Sequence, residues 1–223
     1  MIKQPLRVTT IAVLALSFLR AQPPATPPES AATKFMHGSE FQELVARFED
    51  TARAQWQKPG EVIASLGPLD GKTVADIGSG TGYFAFPLAK KAAKVIAIDI
   101  DQRFLDYIEQ KKQDEKTGDN IETRLTVPNA SGLKPGEADV VLIVDTFHHI
   151  ENRIEYLKKL RGELGEGGLL VIIDFKKQKP PPGPPMELRL APEQVESEVK
   201  SAGFALVRTD RDLLPCQYII KAK

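Results

Sequence analysis

The stretch Val74-Ala-Asp-Ile-Gly-Ser-Gly-Thr-Gly82 decides the fold. Thr73 to Ile77 has the length and apolar character of a short buried strand, and it runs directly into glycines at 78, 80 and 82. A helix is expected next, reaching Ala93. Glycines at this spacing allow a tight turn at the carboxyl edge of a sheet. Without Cβ atoms the backbone can be approached closely, with the N-terminus of the following helix just behind it. Asp76 stands two residues before the first glycine, and Asp99 follows the next apolar strand, Val95 to Ile98, about 20 residues on. A carboxylate at that second place can accept a hydrogen bond from each hydroxyl of a ribose.

The spacing also selects among ligands. A dinucleotide site needs Gly-x-Gly-x-x-Gly, but here Tyr83 stands at the third glycine position and the glycine falls one residue earlier, at Gly82. Asp76 beside the loop would repel a pyrophosphate, whereas it can hold an ammonium or favour a nearby cation. A ligand that joins adenosine, a sulfonium and an amino acid therefore fits better than NAD.

Outward from this stretch, strands and helices alternate. Ser39 with Gln42 reads as a capping box for an amphipathic helix carrying Phe41, Leu44, Val45 and Phe48. Trp56 and Pro59 end that stretch, and Glu61 to Leu66 reads as a second short helix. Downstream of Asp99, Asp101 can cap a helix bearing Phe104, Leu105 and Ile108, and Ile121 to Val127 is the third strand. Val140 to Val144 is the fourth, followed by a helix with Ile154, Leu157 and Leu160 on one face, and Leu169 to Phe175 is the fifth. Pro192 opens a last helix that holds Val195 and Val199 and stops at Gly203, and Phe204 to Val207 with Gln217 to Ile220 forms a terminal hairpin. Such alternation implies an α/β fold whose mainly parallel sheet is covered on both faces.

Composition narrows the field further. The 223 residues are 42% apolar and 27% charged, with thirty Lys/Arg against thirty Asp/Glu and a formal net charge of +0. That suits one globular domain and gives no electrostatic reason to expect nucleic acid or an anionic lipid surface as a partner. The single Cys216 rules out an internal disulfide, and with only His37, His148 and His149 besides, no metal site is expected.

The first residues read as an address. Lys3 and Arg7 precede the apolar run Val8 to Leu19, with Ala21 as a small residue at a cleavage point, so residues 1–21 are expected to be a signal peptide. The run is shorter than the roughly 20 residues a span needs. Export to the periplasm or exterior with no stable membrane span after cleavage is the expectation, a retained anchor or a cytoplasmic chain the alternatives. Residues 22–38, with Pro23-Pro24-Ala25-Thr26-Pro27-Pro28, read as an extended tether, and 39–223 as the domain.

Val74-Ala-Asp-Ile-Gly-Ser-Gly-Thr-Gly-Tyr-Phe84 resembles the first motif of class I S-adenosylmethionine-dependent methyltransferases. The likeness continues through Ala97-Ile-Asp-Ile-Asp101, Ala138 to Ile150 and Leu164-Gly-Glu-Gly-Gly-Leu-Leu-Val-Ile-Ile-Asp174, covering roughly residues 58–220. It is nearest the small-molecule branch that includes the ubiquinone/menaquinone C-methyltransferases. The resemblance implies a doubly wound seven-stranded sheet of order 3-2-1-4-5-7-6 with strand seven antiparallel, and S-adenosylmethionine as cofactor. It also implies that Gly78, Ser79, Gly80 and Gly82 wrap the cofactor, with Asp76 near its methionine part. Asp99 then takes the ribose, Ile100 packs on adenine, and Asn129-Ala130 stands where the family often has an acidic and a small residue. Asp145 and Thr146 lie where cofactor and substrate meet.

Methyl transfer is expected to a small or lipid-like acceptor. A non-catalytic nucleoside-binding module and a nicotinamide-dependent reductase are the alternatives. His148 and His149, just past strand four, are the candidate bases. Tyr83 and Trp56 read either as pocket walls or as core, and Lys58 as part of a lid or as a solvated side chain. The proline-rich segment from Pro180 to Arg189 can shape an acceptor pocket through Met186 and Arg189, or be a rigid connector. Cys216 reads as a small apolar group. The acceptor and the oligomeric state are not legible.

Overall fold

The computed structural model describes residues 30, 33, 40–178 and 182–223. The expected signal peptide, the tether apart from residues 30 and 33, and the Ser39 cap lie outside them. Seven strands form one sheet of order β3-β2-β1-β4-β5-β7-β6. They are β1 Thr73–Ile77, β2 Lys94–Asp99, β3 Ile121–Leu125, β4 Ala138–Val144, β5 Leu164–Phe175, β6 Leu206–Asp210 and β7 Gln217–Ala222. β7 runs antiparallel to both neighbours, while β1 pairs in parallel with β2 and β4. The order implied by the resemblance is the one observed.

Alternate residues of the central strands feed two cores. Ala75, Ile96, Val141 and Ile172 face α6 (Arg153–Glu163) and α7 (Pro192–Ser201), meeting Leu157, Leu160, Val195 and Val199. Val74, Val95, Leu142 and Val171 face the other way, onto α3 (Pro59–Ser65), α4 (Ala85–Ala89) and α5 (Gln102–Glu115), meeting Val62, Leu88 and Ile108. Strands buried on both sides need continuous apolar sequence, which is what these strands have.

Local chemistry sets the ends of the elements. Asp101 caps α5 by accepting the Arg103 N–H at 3.0 Å. α4 is shorter than expected, ending at Ala89, because the N–H groups of Ala93 and Lys94 turn to the carbonyl of Lys72 and draw the chain into β2. β3 stops at Leu125 because the chain then turns, the Ala130 N–H donating to the Val127 carbonyl, and Val127 is exposed. Ile154 is also exposed, contrary to expectation. Steps of three fall about 60° short of a helical turn, so with Leu157 and Leu160 it is Tyr156 that completes the buried stripe.

Two short helices before β1, α1 (Phe41–Phe48) and α2 (Arg53–Gln57), sit at the carboxyl edge of the sheet. Among the described residues no helix is long and apolar enough to cross a membrane. Leu142, fully buried in the middle of β4, offers a test of the packing. Leu142→Ala should lower stability by about 2–5 kcal/mol in chemical denaturation, and a loss well under that would mean the two cores are looser than described.

Candidate active site

A cavity of about 370 Å³ opens over the carboxyl ends of β1, β2 and β4, in the size range of small-molecule sites. Its floor is the bend after β1. Gly78 has φ +74°, and a Cβ there would lie 2.2 Å from Thr146 Oγ1; Gly80 has φ +51°, and a Cβ there would lie 3.3 Å from the Phe48 ring. The bend is held by the end of β2. The Ile98 carbonyl accepts the N–H of both Gly78 (2.8 Å) and Ser79 (3.0 Å). Asp99 accepts the N–H of Gly80 at 2.9 Å with one carboxylate oxygen and that of Asp101 at 3.0 Å with the other.

Of the residues expected in the site, Gly78, Ser79, Gly80, Asp99, Ile100, Asn129, Ala130, Asp145, Thr146, His148 and His149 all line this cavity. Asn129 takes φ +66°, a left-handed conformation that asparagine tolerates, in a tight turn where the Ala130 N–H donates to the Val127 carbonyl. Asp76 and Gly82 do not reach the wall. Asp76 is buried beneath the bend, and a Cβ on Gly82 would meet Phe86 and Ile108, so that glycine serves the packing of α4 and α5. Trp56 lines the cavity, but Lys58 does not; it pairs with Glu61 at 3.5 Å. Tyr83 lies off the wall with the Arg53 guanidinium 4.0 Å over its ring.

Met186 is likewise off the wall, and Arg189 has a different task from acceptor contact. It is buried and donates to the carbonyls of Pro184, Lys176, Gln178 and Pro182, stapling the loop after β5. Cys216 is a half-buried free thiol away from the cavity lining.

Sequence reasoning missed the clamp around Asp145. That residue directly follows β4 with φ +54°, and its carboxylate accepts from Gln57 Nε2 at 2.9 Å, from Gln217 Nε2 and from the Arg53 guanidinium at 3.5 Å. Gln57 also donates to Gln217 at 3.2 Å. Nothing in the sequence ties a glutamine in α2 to one at the start of β7. Asp174 was missed as well, although its place at the end of a buried strand was a signal. Its carboxylate is fully buried, 2.9 Å from His148 Nδ1, and accepts the His148 backbone N–H at 3.1 Å. The His149 ring lies against that of His148, tilted by 37° with centroids 4.3 Å apart, its Nδ1 3.4 Å from the Thr33 hydroxyl.

Burial shapes the electrostatics. It pushes Asp76 up to about 7, against the pull of the Arg53 guanidinium and with help from Asp99. It pushes Asp145 up to about 6, opposed by Arg53 and the Gln57 amide. Asp99 is raised by burial too, and the Asp101 and Gly80 N–H groups hold it back. For His148, burial disfavours the charged ring, yet the Asp174 carboxylate outweighs it and holds the imidazole above the ordinary histidine value.

Residues 75–170 match the family model described as a methyltransferase domain. The matched segment, less than half of the chain, is similar to methyltransferase domains. The chain is 33% identical over 122 residues to a tRNA U34 carboxymethyltransferase of Shewanella sediminis, covering 54% of this chain and 36% of that protein. It is 33% identical over 109 residues to a ubiquinone biosynthesis O-methyltransferase of Roseobacter denitrificans, covering 49% and 43%. The matches thus span less than half of either relative. Among solved structures, an S-adenosylmethionine-dependent methyltransferase from Aquifex aeolicus shares the fold with a TM-score of 0.76 and 24% identity, over 82% of this chain and 98% of that one.

The residues present fit the family's cofactor, S-adenosylmethionine. The hydroxyls of Ser79 and Thr81 are buried in the bend without partners, as expected of groups that await a polar ligand. Of the acids at 76, 99 and 145, Asp99 and Asp145 line the cavity, where an ionised carboxylate suits a cation better than a pyrophosphate. Asp76 yields a stability test. Its proton leaves the unfolded chain near 3.8 and the folded chain near 7, so the folded state binds more protons across that window and stability falls as pH rises through it. Asp76→Asn should therefore raise the denaturation free energy at pH 8, by at most about 4 kcal/mol, and flatten the dependence between those two pH values. An unchanged profile would mean that Asp76 is not held in a low-dielectric place.

Proposed function

We propose that this chain transfers the methyl group of S-adenosylmethionine to a small or lipid-like acceptor. The observation that carries this reading is the side-chain-free bend at Gly78–Gly80 with the Asp99 carboxylate at its rim. When bound, the cofactor supplies an electrophilic methyl carbon on a sulfonium. The rest is the work of the chain. Ser79 and Thr81 offer unpartnered hydroxyls to the amino-acid end. Asp99 uses one lone pair on each oxygen for the backbone and keeps others to accept from the ribose hydroxyls. Ile100, Asn129 and Ala130 bound the place for the adenine.

Alignment and exclusion of water follow from the first two helices, α1 and α2. Phe48 and Trp56 line the cavity, and the Arg53–Gln57 segment is tied to Asp145 at the end of β4. Ordering the reacting groups in a dry pocket can account for much of the acceleration of a one-step displacement. The curated relatives are named for different acceptors, tRNA in one and a ubiquinone precursor pathway in the other, so their names do not select one. The balanced charge of this chain favours a small molecule over a nucleic acid.

Calorimetric titration tests the reading. S-adenosylmethionine and S-adenosylhomocysteine should bind, and NAD should not. Asp99→Ala should weaken S-adenosylhomocysteine by about 1–3 kcal/mol, roughly 5- to 150-fold. Equal affinity in the variant would mean the ribose is held by other residues, and NAD binding in place of the sulfur ligands would overturn the assignment.

A further inference from the structure

Resting on that methyl-transfer reading, we propose that the acceptor is a flat, largely apolar molecule bearing an acidic hydroxyl, such as a phenol, and that the His148–Asp174 pair takes its proton. Two independent observations converge on this. The first is the pair itself. A carboxylate accepts and cannot donate, so the contact at 2.9 Å assigns the imidazole proton to Nδ1 and leaves the lone pair on Nε2. Asp174 grips both the ring and the backbone N–H of the same residue, which fixes the ring in place. His148 is among the residues that line the cavity, and with Nδ1 held by Asp174 its Nε2 is the ring nitrogen left for an occupant.

The second observation is the shape of the neighbouring wall. Phe175 follows Asp174 directly, and its ring lies 5.8 Å from that of Trp56, tilted by 42°. Pro182, Pro184 and Leu188 continue the same wall. Gly183, with φ +116°, presses on Phe175 so closely that a Cβ would come within 2.5 Å of the ring. Arg189 holds that turn through the carbonyls of Pro182 and Pro184 and stands 5.6 Å over the Phe175 ring. Aromatic and proline faces, packed against one another into one rigid wall, suit a flat ring lying on it better than a flexible polar chain.

The step balances without a further reagent. The hydroxyl proton passes to His148 Nε2, an oxygen lone pair forms the new O–C bond, and the electrons of the broken S–C bond return to sulfur. The products are the methyl ether, the thioether and an imidazolium facing Asp174, which later loses its proton to solvent. Charged groups facing His148 are Asp174 from β5, Asp145 from the end of β4 and Arg153 from α6, with the His149 ring tilted against it. Asp174 acts through His148 and is a positioning residue.

The test uses the full chain saturated with S-adenosylhomocysteine and 4-nitrophenol as the probe, whose ionised form absorbs visible light. Bound to the unaltered chain, the probe should ionise at least about tenfold more readily than in solution, about one pH unit lower. His148→Gln should abolish that shift and Asp174→Asn should reduce it, while both variants bind S-adenosylhomocysteine as before, which reports an intact cradle. Trp56→Ala should weaken probe binding without moving its ionisation. A probe that ionises equally well on His148→Gln, or that fails to bind the loaded, unaltered chain, overturns the inference. Failure of the unaltered chain to bind S-adenosylhomocysteine overturns the methyl-transfer reading instead.

Discussion

The site depends on how close the backbone at Gly78 comes to Thr146. With 2.2 Å between the position of a Cβ and the threonine hydroxyl, no side chain fits there, and β1 and β4 can deliver their carboxyl ends to the same small volume. The end of β2 completes the support, since Ile98 and Asp99 together accept three successive N–H groups of the bend, from Gly78, Ser79 and Gly80. One set of contacts thus fixes the sheet order, the cavity floor and the place of the carboxylate at its rim. This is the switch point at which open α/β sheets bind their ligands.

The same arrangement concentrates buried acid. Asp76, Asp99 and Asp145 each hold a proton more tightly than an ordinary carboxylate because burial disfavours their charge. Arg53 opposes this at Asp76 and Asp145, reaching the latter across the top of the sheet. Burial makes ionising these acids costly, and Asp99 and Asp145, which line the cavity, suit a cationic ligand once they are ionised. Helices α1 and α2 are part of this balance, since Gln57 and Arg53 tie them to the end of β4 while Phe48 lies against the bend.

Much of this was legible in the chain. Apolar runs with glycine punctuation located the strands, although β6, expected over Phe204 to Val207, runs Leu206–Asp210, and their periodicity separated strands from helices. The bend and Asp99 stood out because glycine spacing and a strand-end acid are local signals. What the sequence hid is non-local. The Asp145 clamp joins Gln57 to Gln217 across 160 residues, and polar side chains carry no periodic mark of their partners. Asp76 and Gly82 were expected at the wall and lie behind it, because residues within one turn of chain can face opposite sides of a bend. For Arg189 the sequence left an acceptor pocket and a rigid connector open, and four carbonyls of its own loop claim its guanidinium. The short reach of α4 and the exposure of Ile154 depended on hydrogen bonds and helix phase that composition does not record.

The most direct measurement is a crystal structure of the chain grown with S-adenosylhomocysteine. The account predicts the ligand in the cavity over the bend, its ribose hydroxyls within hydrogen-bonding distance of Asp99 and its sulfur on the β4 side near Asp145. A ligand bound elsewhere, or one seated over the bend with its ribose turned away from Asp99, would contradict it.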